Sequence, residues 1–185
     1  EDEKIENSSF HKIPLSIINM YQTEKTQKKN KKKQEKGKLD FESLVLDKIH
    51  IQDDGSVLLI GEQFYITTHT YTDSNGNTRT TYRYHYNDIL VSKIDNDGEL
   101  QWMQKLPKSQ VGGAGQGGMS YKHIFKDGNH YFFYLDHIDN IDLPKDKKPK
   151  THSDGRGGVF TAYTISDEGG DVEKTSLLNF KETIL

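Results

Sequence analysis

Apolar residues in this chain come in short runs separated by Asp, Asn and Gly. Val45–Ile51 and Val57–Ile60 flank Asp53-Asp54-Gly55-Ser56. Ile89–Ile94 and Leu100–Leu106 flank Asp95-Asn96-Asp97-Gly98-Glu99, and Pro107 closes the second run. Runs of strand length around Asp-Gly turns are the pattern of β-hairpins. The second half repeats the first. His-Ile-x-x-Asp-Gly at His50–Gly55 returns at His123–Gly128, 73 positions on, and Ile94-Asp95-Asn96-Asp97-Gly98 is answered 71 positions on by Ile165-Ser166-Asp167-Glu168-Gly169. Two matches in the same order and nearly the same offset define a repeat. Each copy then carries strand, turn, strand, insert, strand, turn, strand, which is the content of a propeller blade.

The expected fold is all-β: two four-stranded antiparallel blade-like repeats, part of a β-propeller-like array. The expected boundaries are an N-terminal segment over 1–43, repeat 1 over 44–110, a Gly-rich linker over 111–119 and repeat 2 over 120–185. The inserts are residues 63–87 in the first copy and 137–157 in the second, where Pro144 and Pro149 predict an irregular loop. In the N-terminal segment residues 1–9 are polar and expected to fray. Pro14 makes Phe10–Tyr21 an edge strand rather than a central one, with a short helix as the alternative. Thr23–Lys38 has no apolar residue and reads as a disordered, solvated loop; the sharper reading is a patch for an anionic partner.

The first insert is the most informative stretch. Asn75-Gly76 is a two-residue hairpin turn signal, which predicts pairing of Tyr71 with Thr80, His69 with Tyr82, Thr67 with Tyr84 and Tyr65 with Tyr86. Alternation then gathers Tyr65, His69, Tyr71, Tyr82, Tyr84 and Tyr86 on one face. Such a face either packs on a neighbouring unit or recognises a partner, because tyrosine supplies both ring area and a hydroxyl. These six residues are the candidate partner-binding or ligand-binding site, for a protein or for a glycan whose sugar rings are apolar faces ringed by hydroxyls.

Composition supports β structure and narrows the function. Ten Tyr and eight Phe favour pleated, half-buried surfaces, and an apolar fraction of 32% leaves a large wet surface. Net charge is −3, and residues 25–38 hold eight Lys and one Glu; without them 17 basic side chains face 27 acidic ones. An acidic body with one basic tract lacking aromatics is not a nucleic-acid groove. No apolar run approaches the ~20 residues of a membrane-spanning helix. The absence of Cys removes disulfides, thiolate zinc sites and thiol catalysis.

No cofactor and no metal is expected. Gly113-Ala114-Gly115-Gln116-Gly117-Gly118 satisfies G-x-G-x-x-G, but a strand rather than a helix is predicted after it. Asp95–Glu99 begins like a calcium loop, yet position 12 counted from Asp95 is Leu106, not Glu. His50 and His123 occupy matching repeat positions, and His130 and His137 are placed to face opposite sides of a strand. No G-x-S-x-G elbow occurs, and no carboxylate pair stands out among 28 acidic residues.

Asp47–Glu62 together with Asn87–Trp102, and the ending Trp102-Met103-Gln104-Lys105-Leu106-Pro107-Lys108, resembles blade repeats in uncharacterised secreted or envelope proteins of Bacteroidetes. The second copy departs from that pattern, with Lys174 near the place of Trp102. The resemblance implies an extracytoplasmic, propeller-like protein and no catalytic residues. A closed propeller takes 4–8 blades. Two units therefore imply a piece of a longer chain, completion by partners or self-association, or two sheets stacked as a small sandwich. The functional expectation is a non-enzymatic binding or scaffolding module; the alternative is a fragment of a carbohydrate-active propeller enzyme.

Overall fold

The computed structural model describes residues 8–113, 119–153 and 157–179. Strands β1 (Leu44–Ile51), β2 (Val57–Thr72), β3 (Thr78–Ile94) and β4 (Leu100–Leu106) form an antiparallel meander. Strands β5 (Gln110–Gly112) and β8 (His152–Ser153) extend this sheet to six strands: β5 runs antiparallel to the outer half of β3, and β8 runs parallel to β5. The second sheet is a four-stranded meander of β6 (Lys122–Lys126), β7 (Asn129–Asp136), β9 (Val159–Ser166) and β10 (Val172–Asn179). The fold is thus mostly β, with two sheets of six and four strands. Among the described residues neither sheet closes into a barrel, and the two sheets do not make a closed propeller.

The two sheets pack face to face. Leu58, Ile60, Ile89, Val91, Trp102 and Leu106 from the first meet Tyr121, Phe132, Tyr134, Tyr163 and Ile165 from the second in one buried cluster. The strict alternation of buried and half-buried residues along β7 is the signature of one face turned to that core. Asp-Gly turns do what their chemistry predicts: Gly55, Gly76, Gly98 and Gly128 all adopt positive φ, which only glycine takes without strain. Gly170, in the last turn, combines φ +70° with a close approach, since a Cβ there would lie 2.7 Å from Cγ of Trp102. Gly170→Ala is expected to cost about 1–3 kcal/mol through backbone strain and displacement of the buried indole, read as a lowered urea midpoint.

Several expectations are corrected. Residues 23–38 are not a disordered loop, for Glu24–Glu35 is a helix, α2. Lys, Gln and Glu are good helix formers, and the Thr23 side chain caps the helix by accepting the Thr26 N–H at 3.3 Å. The helix buries nothing and is tethered by side chains, with Asn30 donating to Asn19 at 2.9 Å and Lys33 to Glu42 at 2.6 Å. Phe10–Tyr21 is not an edge strand; Leu15–Asn19 is a short helix, α1, after Pro14. Its Ile18 packs with Phe41 and Leu90 on the outer face of the first sheet. The start of the Gly-rich linker is strand β5, and the 137–157 insert, otherwise irregular, contributes β8. Residues 1–7 and most of the G-x-G-x-x-G stretch lie outside the described residues. The next element along the chain is strand β6, with no helix between 119 and 153 beyond one 3-10 turn at Ile138–Asn140.

The hairpin register also differs from expectation, by one residue. Tyr71 pairs with Arg79, His69 with Thr81, Thr67 with Arg83 and Tyr65 with His85. The cause is the turn. Asp73 Oδ1 accepts the N–H groups of Asn75 and Asn77 at 3.0 Å each, and Asn77 O accepts the Asp73 N–H at 2.9 Å. That closes a three-residue loop with Gly76 as its left-handed residue instead of a two-residue turn. A bulge between Glu62/Ile89 and Phe64/Tyr86 restores the register at the base. The six candidate residues therefore split: Tyr65, His69 and Tyr71 share one face, and Tyr82, Tyr84 and Tyr86 the other.

Candidate functional site

The split separates two environments. Tyr84 and Tyr86 pack against Phe64, with ring centroids 6.4 and 5.0 Å away, and Lys108 Nζ lies 5.9 Å from the Tyr86 ring. These two rings are half-buried and serve packing; Tyr82, on the same face, is exposed. On the opposite face His69 and Tyr71 lie side by side near the tip, 5.9 Å apart. Tyr65 stands alone at the root, stacked flat on His85 at 4.4 Å with 9° between the planes. His85 is in turn fixed by Thr67 Oγ1 at 3.0 Å, and burial lowers its pKa, with Arg83 adding to the effect.

Tyr65 opens onto a cleft of about 530 Å³. Its walls come from elements far apart in sequence. Helix α2 supplies Lys29, Asn30 and Lys33; the segment after it supplies Asp40, Phe41 and Glu42; β2 and β3 supply Gln63, Tyr65, Asn87 and Asp88. Lys108, Ser109, Lys148 and Pro149 contribute on the remaining side. Alternation along β2 places Gln63 and Tyr65 on this side, and the bulge, whose extra residue is on β3, brings His85 to the Tyr65 side and Tyr86 to the Phe64 side. The lining is an aromatic platform, several amides and charges of both signs, and its volume falls in the range of small-ligand sites.

The floor of the cleft is more unusual than its rim. Asp88 is buried, with Lys105 Nζ 3.4 Å from Oδ2 and the Lys108 N–H donating to Oδ1 at 3.1 Å. Burial raises its pKa against the pull of Lys105. Lys108 Nζ sits 2.6 Å from Glu62 Oε1 and donates to Tyr86 O at 2.8 Å and Gln110 Oε1 at 3.3 Å. Burial pushes its pKa down to about 8 even with that carboxylate beside it. At the rim the balance is opposite: the hydrogen bond from Lys33 holds Glu42 below the usual carboxylate range. Sequence reading found Tyr65 but not this cleft, because its other walls are brought in by α2 and by the buried Lys105-Leu106-Pro107-Lys108 stretch.

A second polar cluster joins the two sheets at their turn ends. Asp167 accepts from Lys93 Nζ at 2.7 Å, Gln52 Nε2 at 2.7 Å and His130 Nε2 at 2.8 Å, and its backbone oxygen accepts from Trp102 Nε1 at 2.9 Å. His130 Nδ1 lies 3.2 Å from His123 Nε2, and the His123 ring is 6.4 Å from that of His50. With His130 donating to Asp167, His123 donates to His130; burial lowers the pKa of both rings, and Asp167 partly offsets this for His130. The matching repeat positions of His50 and His123 thus meet across the sandwich. His137 is elsewhere, its Nδ1 capping the turn at Ile138–Asn140 by accepting from the Asp139 N–H at 3.1 Å. Among the described residues no group of three or more His, Cys, Asp or Glu is arranged to hold a metal ion, and no helix is long and apolar enough to cross a membrane. The cluster clamps the two sheets together, with His130 fully buried in it.

Comparison with known proteins finds no matching family model, no matching curated protein and no matching solved structure.

Proposed function

We propose that this chain is a non-enzymatic binding or scaffolding module of a bacterial envelope or extracellular protein, and that it holds a glycan at the cleft beneath the long hairpin. The observation that carries this reading is the Tyr65 ring, stacked on His85 and 39% exposed, at the mouth of a cleft lined with Gln63, Asn87 and Asn30. A ring face takes the apolar side of a sugar, and amides take its hydroxyls. The extracytoplasmic placement and the view of each meander as a propeller-like blade rest on the resemblance to envelope blade repeats and on the internal repeat. Screening the purified chain against immobilised oligosaccharides is expected to find a binder, and Tyr65→Ala is expected to weaken it about tenfold, the worth of one aromatic contact of about 1.4 kcal/mol. His69→Ala and Tyr71→Ala, near the tip, should leave it unchanged. Binding that is indifferent to Tyr65, or that needs the tip residues, would transfer the site to the hairpin arm and to a protein partner.

One observation favours the enzyme alternative. Two carboxylates lining the same cleft are displaced in opposite directions, Asp88 upward by burial and Glu42 downward by its bond from Lys33. Glycoside cleavage uses two carboxyl groups of different acidity facing one cleft. Turnover of an aryl glycoside by the purified chain, lost in Asp88→Asn, would establish it.

A further inference from the structure

The sequence match between the two halves pairs strand positions of one sheet with positions of the other, and this has a consequence for their outer faces. At the 73-residue spacing Leu58 and Ile60 of β2 correspond to Tyr131 and Phe133 of β7, and at the 71-residue spacing Ile89 and Val91 of β3 correspond to Phe160 and Ala162 of β9. The first four form the inner face of the first sheet, completely or almost completely buried by the second. Their counterparts lie on the outer face of the second sheet. There Phe133 stacks between Tyr131 at 6.3 Å and Phe160 at 5.8 Å, all three half-buried, with Ile124 at 52% exposure and Leu178 at 49% beside them.

The correspondence runs the other way as well. His130, Phe132, Tyr163 and Ile165, the face with which the second sheet covers the first, correspond to Val57, Leu59, Ser92 and Ile94 on the outer face of the first sheet. Half of that face is capped by Ile13, Ile17, Ile18 and Phe41 over Leu90 and Met103. The other half, along β1, is open: Leu46, Ile49 and Ile51 are 55%, 60% and 71% exposed, and Leu46 also lines an apolar groove of about 390 Å³ with Ile13, Leu59 and Ile94. Two apolar faces therefore stand at opposite ends of the stack, and they are the counterparts of two faces that already meet in its middle. Contiguous exposed apolar surface of this kind marks an interaction site.

We propose that copies of this chain associate head to tail, the outer face of the second sheet seating on the open β1 side of the first sheet of the next copy and repeating the internal interface. The proposal rests on the repeat reading and not on the glycan site, since neither face lines the cleft. Such a contact is heterologous, so it closes into a ring or propagates as a filament.

The test uses two single substitutions on residues that are not fully buried, Phe133→Glu for one face and Ile49→Glu for the other, with unfolding midpoints confirming that both still fold; Ile124→Glu replaces Phe133→Glu should that variant not fold. Light scattering across a concentration series is expected to give a mass above one chain for the parent protein and a single chain for each variant. Mixing the two variants in equal amounts is expected to give a dimer and nothing larger, because each retains one intact face and the intact faces are complementary. A parent protein that stays a single chain throughout would overturn the proposal. So would an assembly abolished by Phe133→Glu but untouched by Ile49→Glu, which would mean a two-fold contact of the second sheet with itself.

Discussion

Lys108→Met is expected to destabilise the protein by about 3–5 kcal/mol, a large part of the total stability of a domain this size. The side chain is fully buried and its ammonium is the ion-pair partner of Glu62 Oε1, an oxygen with no well-oriented hydrogen bond of its own. The other carboxylate oxygen accepts from Ser120 Oγ at 2.9 Å. Removing Lys108 leaves that buried carboxylate without its counter-charge, and also leaves Tyr86 O and Gln110 Oε1 short of a donor. The double variant Lys108→Met/Glu62→Leu is expected to lie within about 1 kcal/mol of the parent or above it. The reason is in the pKa: held at about 8 despite Glu62, the buried amine loses more in hydration than the pair returns. Urea unfolding of the parent, single and double variants decides this. A neutral single variant would mean that water reaches the pair.

Stability is expected to fall as the pH is lowered from about 7 toward 4. His123 has a pKa near 4 in the folded protein, because burial disfavours its charged form and His130, Lys48 and His50 repel the added proton. In the unfolded chain it titrates near 6.5. Between those values the unfolded state binds more protons, so stability is complete above about 6.5 and is lost progressively down to about 4. The loss is of the order of 2 kcal/mol once the partial exposure of the ring is allowed for. His130 is lowered by burial as well, partly offset by Asp167, and acts in the same direction. Burial alone would raise Asp167, but its hydrogen bonds from Lys93, Gln52 and His130 outweigh that and hold it below its usual value, so its contribution survives until the pH falls below about 4. Asp88 and Asp136, raised by burial, act oppositely in the carboxylate range. Unfolding midpoints of the parent and His123→Gln between pH 7.5 and 4.5 separate these effects. The difference should narrow with acidity, and parallel profiles would show that the imidazole is not held neutral.

Much of the fold is legible in the order of residues. The Asp-Gly and Asn-Gly turns at Gly55, Gly76, Gly98 and Gly128 locate the β1–β2, β2–β3, β3–β4 and β6–β7 hairpins, because a left-handed glycine after Asp or Asn has few alternatives to a tight turn. The alternation and turns anticipate a mostly β fold, and the structure builds two sheets, one of six strands and one of four, rather than two equal four-stranded units. Tyr65 was identifiable as a site candidate from its place in the long hairpin. What the order of residues does not carry is whatever depends on the choice between nearly equal local solutions. Asn75-Gly76 permits either a two-residue or a three-residue loop, and the Asp73 carboxylate selects the longer one by accepting two backbone N–H groups. That one residue moves Tyr82, Tyr84 and Tyr86 to the opposite face from Tyr65.

The helix over Glu24–Glu35 shows the same limit from another side. Its residues favour helix individually, yet a helix of that length has no apolar stripe to hold it to the body, and a tract of Lys, Gln and Asn by itself is as compatible with a solvated coil. Contacts from Asn19, Gln22 and Glu42 tip the balance, and those residues reach α2 only once Ile18 and Phe41 are seated on the first sheet. The buried lysines were likewise invisible, since Lys105 and Lys108 look like ordinary strand-end cations until Asp88 and Glu62 enclose them. By itself the sequence determined most of the strands and turns, because these arise from alternation and glycine chemistry within a few residues of each other. Register, the capping helices, the cleft and the ionic groups beneath it were decided only by the tertiary structure, where burial sets the cost of every charge and the facing element decides which partner answers it.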